Sequence, residues 1–351
     1  MAENKKFNAW LPNFGAKGWG ITIACFIFFY FYSFWNAATN TLFGLFNEMY
    51  GWQQTDMSYV ITIAGWISLI AVVLFGTLGR KIGAKMVSVI GLAGSAIGFA
   101  VLACAHTFEV FAAGVVIFNF SMVAYATIGV GLLGSSWFPR TKGAFMGIAT
   151  MGMTISSATL NPIILGFAGS AFGISGFFWA MAAVVAITAV IVFLFVKNNP
   201  EEAGAYPDND QSVSREELEA EFKAAQEYKK TSPWTTARVL KTPQTWLIGL
   251  GTGLPMMVGA GTIALLVPTL ASYGQDPMFG VVLLSSMWPI GLLGHYLIGV
   301  LDQKIGTKKT TLVVICVLGL GGRLVKLGGA NSVVCAVATG MFMFGLSGAA
   351  N

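Results

Sequence analysis

The stretch Gly76-Thr77-Leu78-Gly79-Arg80-Lys81-Ile82-Gly83-Ala84-Lys85 returns 223 positions later as Gly299-Val300-Leu301-Asp302-Gln303-Lys304-Ile305-Gly306-Thr307-Lys308. Gly, Leu, Lys, Ile, Gly and Lys recur at the same six of the ten positions. Each copy follows one long apolar run and precedes another, so each reads as a short charged turn between two membrane helices. A repeat at this distance predicts an internally duplicated helical architecture, of the kind that builds a central site between its repeats.

Composition agrees with that reading. Hydrophobic residues make up 56 % of the 351 residues and charged residues 10 %, with 43 Gly. A soluble domain carries about 25 % charge, so this chain cannot cover a water-facing surface. Apolar runs occupy ten segments: 19–45, 58–79, 86–105, 108–134, 143–167, 174–196, 244–272, 278–301, 310–328 and 331–350. Most have the roughly 20 residues that cross the hydrocarbon core as helix. The period-two alternation of a β-barrel is absent, which leaves helix as the way to satisfy the backbone in lipid. The expectation is an all-α, multi-pass integral membrane protein with about ten transmembrane helices.

The net charge of +5 is not a nucleic-acid signal, because the charges flank the apolar runs. Lys5, Lys6 and Lys17 precede the first run, Arg80, Lys81 and Lys85 follow the second, and Arg140 and Lys142 follow the fourth. Seven more basic residues occupy 197–241, and Lys304, Lys308 and Lys309 follow the eighth run. Eighteen of the 20 Lys and Arg thus fall on one side, with Arg323 and Lys326 opposite. The positive-inside rule puts the N-terminus and the central polar segment in the cytoplasm, in a plasma or inner membrane.

Cys25, Cys104, Cys316 and Cys335 all sit inside apolar runs without metal-ligand spacing and read as small packing residues. The Gly-rich stretches Gly91-Leu92-Ala93-Gly94 and Gly129 to Gly134 lack the lysine of a phosphate-binding loop and read as packing faces. An enzyme, a cofactor and a metal are therefore not expected. The first apolar run is too long for the 7–15-residue core of a signal peptide and should remain as a span.

The polar segment divides the chain into a six-helix bundle at 1–197, a linker at 198–243 and a four-helix bundle at 244–351. Lys197-Asn198-Asn199-Pro200-Glu201-Glu202-Ala203-Gly204 ends the sixth helix; Ser214 with Glu217 forms a capping box, opening a charged helix over 216–230. The linker reads as a solvated tether. Because span eight repeats span two, the second half should also hold six helices, and residues 344–348 resemble the end of span four. The expectation is ten helices of twelve, with the sequence stopping in the tenth and unable to transport in that form.

The duplicated Gly-x-Leu-x-x-Lys-x-Gly-x-Lys loops and the six-plus-six plan resemble the major facilitator superfamily. Within it, Gly51-Trp52, Trp137-Phe138-Pro139-Arg140-Thr141-Lys142-Gly143 and Met146-Gly147-Ile148-Ala149 resemble the branch of oxalate/formate antiporters and monocarboxylate transporters. The resemblance implies a secondary active transporter that moves a small organic solute, a carboxylate, by alternating access. It also implies that Gly76, Arg80, Lys81, Gly83, Lys85, Gly299, Asp302, Lys304, Gly306 and Lys308 belong to gating loops. The family's loop carries an acidic residue at its fifth position; Arg80 and Gln303 stand there instead, with Asp302 one place earlier. Oxalate-type carriers place a cation in span eight, and Met278 to Leu301 holds none before the loop. An exporter of a neutral or hydrophobic compound, or a non-transporting receptor on the same fold, is the alternative.

Polar side chains inside spans are costly in lipid, and each is a candidate for lining a cavity near the midplane. Tyr32, Asn36 and Asn40 follow i, i+4, i+8 and predict one polar stripe on the first span. Asn119 and Tyr125 are central in the fourth; Ser157 and Asn161 share a face of the fifth, where Pro162 frees a carbonyl. Pro255 and Pro268 should interrupt span seven, and Trp288-Pro289 span eight, placing Trp288 among the substrate-binding candidates. His295 can titrate near neutral pH and is the proton-coupling candidate, with an interfacial structural role as the other reading. The partners expected are a small-molecule substrate and the bilayer, around a monomer.

Overall fold

The computed structural model describes residues 12–211, 216, 220, 223, 224, 227, 228, 231, 233, 236–328 and 330–349. The capping box at Ser214 and Glu217 lies outside the described residues. The chain divides into two compact units, Phe14–Ala205 and a second that contains Tyr206–Asn351. Among the described residues the regular structure is helical.

In the first unit, α1 (Gly15–Tyr32) and α2 (Phe34–Tyr50) form span one. They meet at Ser33, whose carbonyl already accepts from Ala37 N–H at 2.9 Å, so the ladder resumes at once. Gly51 ends α2 in the left-handed region, φ 71°, with its N–H on Asn47 O. Helix α3 (Gln54–Ala103) contains spans two and three, with Gly83 alone outside helical geometry at φ 85°, ψ 166°. Span four is α4 (Phe108–Val123), a π-turn (Ala124–Gly129) and α5 (Val130–Trp137). Spans five and six are α6 (Lys142–Ala168) and α7 (Gly173–Phe195).

The second unit contains α8 (Thr236–Leu240), α9 (Pro243–Ser272), α10 (Pro277–Ser286), α11 (Trp288–Ile305), α12 (Thr307–Gly328) and α13 (Ser332–Ala349). The expected interruption of span seven does not occur: α9 runs through Pro255 and Pro268. A helix can absorb a proline by local bending, losing one ladder bond rather than its continuity. Span eight does break, at Met287 (φ −86°, ψ 0°), which leaves Pro289 in the first turn of α11 where its missing N–H costs nothing. Six helical stretches among the described residues are long and apolar enough to cross a membrane: Gly15–Tyr50, Gln54–Ala103, Phe108–Trp137, Lys142–Ala168, Gly173–Phe195 and Thr307–Gly328. Ser332–Gly348 is a shorter apolar helix.

Phenylalanine and glycine divide the packing work. Phe34, fully buried, stands 4.9 Å from Phe99 and 5.7 Å from Phe118 between ring centroids, and Phe177 and Phe178 close the cluster. Towards Gly51 the lattice continues through Phe46 and Phe111 to Trp52, on which Tyr50 stacks at 4.7 Å. Where α3 crosses α4, side chains give way to backbone. A Cβ on Gly98 would lie 2.8 Å from Phe118 N, and one on Gly91 2.6 Å from Ala124 Cβ. Gly91 and Gly94 are thus packing faces, as read from the sequence. In the second unit Leu266, Leu283, Ile298, Leu318 and Phe342 share one apolar cluster. Cys25 and Cys335 are buried, but Cys104 and Cys316 are exposed and do not serve the packing role expected of them. Cys104 caps the end of α3, between buried Ala103 and Ala105, on the side that is not covered.

Candidate functional site

Helix α6 lies along α1 and α2, and its first half comes so close that a Cβ on Gly152 would meet Phe26 O. Further along, polar pairs cross the seam. Tyr30 Oη and Thr159 Oγ1 are 3.0 Å apart, and Thr41 Oγ1 donates to Asn161 Oδ1 at 2.8 Å. Asn161 is half-buried by that pairing, and Pro162 beside it leaves the Ala158 carbonyl without its helical donor. Ser157 is exposed one turn earlier and returns its hydroxyl to Met153 O at 3.2 Å. On α2 Asn36 and Asn40 are exposed one turn apart, whereas Tyr32 is half-buried at the end of α1. Asn36 and Asn40 thus stand on α2 and Ser157 and Asn161 on the adjoining α6, with Thr41 to Asn161 as the hydrogen bond that joins α2 to α6.

Asn119 and Tyr125 occupy a different place. Asn119 is 4 % exposed; its amide donates to Val115 O at 2.8 Å, and its backbone carbonyl accepts from Ser68 Oγ at 3.0 Å. Tyr125 sits in the π-turn, fully buried, with its ring edge-on to Phe28 at 5.6 Å and Tyr32 nearby. Its hydroxyl and that of Ser95 are both buried without a hydrogen-bond partner among the described residues. A π-turn adds a residue to one turn, which is how Tyr125 is aimed between helices rather than along α4.

At the basic end of the unit the first repeated loop is held from three directions. Gly83 turns the chain, and Lys85 N–H donates to Asn198 Oδ1 at 2.9 Å. The Lys85 ammonium lies 4.9 Å over the Phe193 ring. Gly79 fits against Leu132 and Ile128, and Gly76 is half-buried beside Ile128, while Arg80 and Lys81 are exposed. The segment after α7 is a fixed structure. Trp137 Nε1 donates to Lys197 O at 3.1 Å, Glu202 accepts from Asn198 N–H and from Asn199 Nδ2, and Lys17 Nζ donates to Ala203 O. Burial raises the Glu201 carboxyl above its ordinary range; its own backbone N–H opposes this and the charge of Glu202 adds to it. Lys17, Trp137 and Asn198 stand out in the sequence only as a flanking charge, a motif residue and a helix end; no local signal pairs them with the loop.

The second loop repeats the backbone of the first. Gly306 stands at φ 83°, ψ 154°, with its N–H on Asp302 O at 3.0 Å, and Lys304 and Lys308 are exposed. Gly299 is buried in α11. His295, 3 % exposed, lies on the same helix, where neighbouring Gly294 packs against Phe344 of α13. Trp288 is 38 % exposed at the start of α11.

The sequence profile of the Major Facilitator Superfamily matches residues 21–351. No curated protein matches the chain. Among solved structures, the proton:xylose symporter XylE bound to 6-bromo-6-deoxy-D-glucose is similar, with TM-score 0.71 and 12 % identity over 94 % of this chain and 79 % of that one. FucP, a transporter in the outward conformation, is similar with TM-score 0.63 and 15 % identity over 94 % of this chain and 84 % of that one.

Proposed function

Because the chain belongs to the Major Facilitator Superfamily, we propose that it is a secondary active transporter of a small organic carboxylate, working by alternating access. It is a multi-pass integral membrane protein of a family of transporters rather than enzymes. The carboxamide face on α2 and α6 carries the substrate reading. Asn36 and Asn40 can donate N–H to a carboxylate oxygen, and Asn161 is oriented by Thr41 to present its own amide nitrogen. The likeness of residues 137–143 to the oxalate/formate and monocarboxylate branch supports the same class. Tyr32, Ser157 and Trp288 belong to the proposed lining, with Asn119 and Tyr125 as its buried support and His295 as the proton-coupling group. The two repeated loops act in gating, and we place the N-terminus and central segment in the cytoplasm, with the protein a monomer divided at 197 and 243.

A second reading is supported by the same face. Asn36, Asn40, Ser157 and Asn161 are all neutral, which suits a neutral hydrogen-bonding solute as well as an anion. Reconstituted protein separates the readings. Labelled monocarboxylates and dicarboxylates should accumulate in liposomes loaded with counter-solute or under a proton gradient, without nucleotide. Failure of every carboxylate to compete, with uptake of a neutral solute, would replace the first reading by the second. Binding without flux would make the protein a receptor.

A further inference from the structure

The geometry points to Asn198 as a positioning residue that fixes the turn of the first repeated loop, with no such carboxamide at the equivalent turn of the second among the described residues. This goes beyond the solute reading, since it concerns the loop and not the cavity.

Gly83 and Gly306 adopt nearly the same conformation, φ 85°, ψ 166° and φ 83°, ψ 154°. That region is open essentially to glycine only, which accounts for the glycine in both copies. Their surroundings differ. A Cβ on Gly83 would lie 2.6 Å from Asn198 Oδ1, 2.8 Å from its Cγ and 2.9 Å from its Nδ2, so the carboxamide sits in the notch that the missing side chain provides. Around Gly306 nothing among the described residues comes within 4 Å of that position.

The notch has a chemical purpose. The helix that leaves each loop begins with amides that have no intrahelical acceptor. In the first copy Asn198 Oδ1 takes the one at Lys85, 2.9 Å away and 113 positions distant in sequence. Asn198 acts as a helix cap supplied from another element. It is itself held, because its N–H donates to Glu202 Oε2 at 3.3 Å and the preceding Lys197 carbonyl accepts from Trp137. The equivalent amide in the second copy is at Lys308, beside the open notch. Among the described residues the first repeated turn thus has a side-chain cap on its Lys85 amide and the second has none on Lys308.

Hydrogen exchange of the purified full chain in lipid nanodiscs, read by mass spectrometry on peptides over 80–90 and 303–313, tests this. In the unaltered protein Lys85 should exchange about fivefold or more slowly than Lys308, the effect of one net hydrogen bond. Asn198→Ala should bring Lys85 to the rate of Lys308, and Asn198→Asp, which keeps the acceptor, should restore protection. Gly83→Ala, which evicts the carboxamide, should speed exchange at Lys85. Equal rates at Lys85 and Lys308 in the unaltered protein would overturn the proposal. So would an Asn198→Ala effect spread over all of Phe14–Ala205, which would make Asn198 a general stability residue.

Discussion

At the residue scale the carboxamides separate into two kinds that ought to respond differently to the same change. Asn36→Ala or Asn40→Ala removes an exposed group, so the melting temperature should hold while uptake falls at least about tenfold, the value of one hydrogen bond to a charged solute. Asn119→Ala deletes a buried amide bonded to Val115 O and should lower stability by about 1–2 kcal/mol, measured by thermal melting in detergent. Glu201 supplies a pH test. Its folded-state pKa is raised by burial, so its contribution to stability is full below the ordinary carboxylate range and is lost as pH rises through the raised value. Glu201→Gln should therefore stabilise the first unit at pH 7 and make no difference near pH 4; an equal gain at both would exclude the charge as the cause. The stripe at Asn36 and Asn40 was legible because a helix puts i and i+4 on one face. The pairs Tyr30–Thr159 and Thr41–Asn161 were not, because their members are 129 and 120 positions apart and nothing local marks them.

Elements were the most legible level, since long apolar runs in lipid leave the backbone few alternatives to helix. What composition could not show is where a helix departs from regularity. Ala124–Gly129 reads as ordinary apolar helix, yet it forms a π-turn, fixed by Tyr125 against Phe28 and by Gly129 against Ser88. Pro255 and Pro268 are louder signals in the sequence and produce no break. The π-turn also sets the rotation of α5 and hence the aim of Trp137 at Lys197 O. Deleting Thr127 should regularise the helix, turn α5 by about 100° and uncouple Trp137, seen as a red-shifted tryptophan emission with helicity kept. The α3–α4 crossing admits no such change: Gly98→Val places carbon against the Phe118 backbone and should cost at least about 3 kcal/mol.

For the whole molecule, the distribution of Lys and Arg sets the orientation proposed above. Cys104 is exposed at the end of α3 away from the basic loop, whereas Cys25 and Cys335 are buried. A membrane-impermeant maleimide should label Cys104 on intact cells, with the Cys104→Ser variant as control; labelling only after permeabilisation would invert the topology. The repeated loop announced an internal duplication in the sequence, and the chain divides into two units at Ala205 and Tyr206. The closely stacked rings of Phe34, Phe46, Trp35, Tyr50, Trp52 and Phe111 all lie in the first unit. Fixed aromatic neighbours split one another's electronic transitions, so near-ultraviolet circular dichroism should carry a strong signal from that unit, while the far-ultraviolet bands report helix in both. Two wavelengths thus give two thermometers in one chain. If the units melt separately, the curves will part, and the difference between them will time the loss of each half without any label.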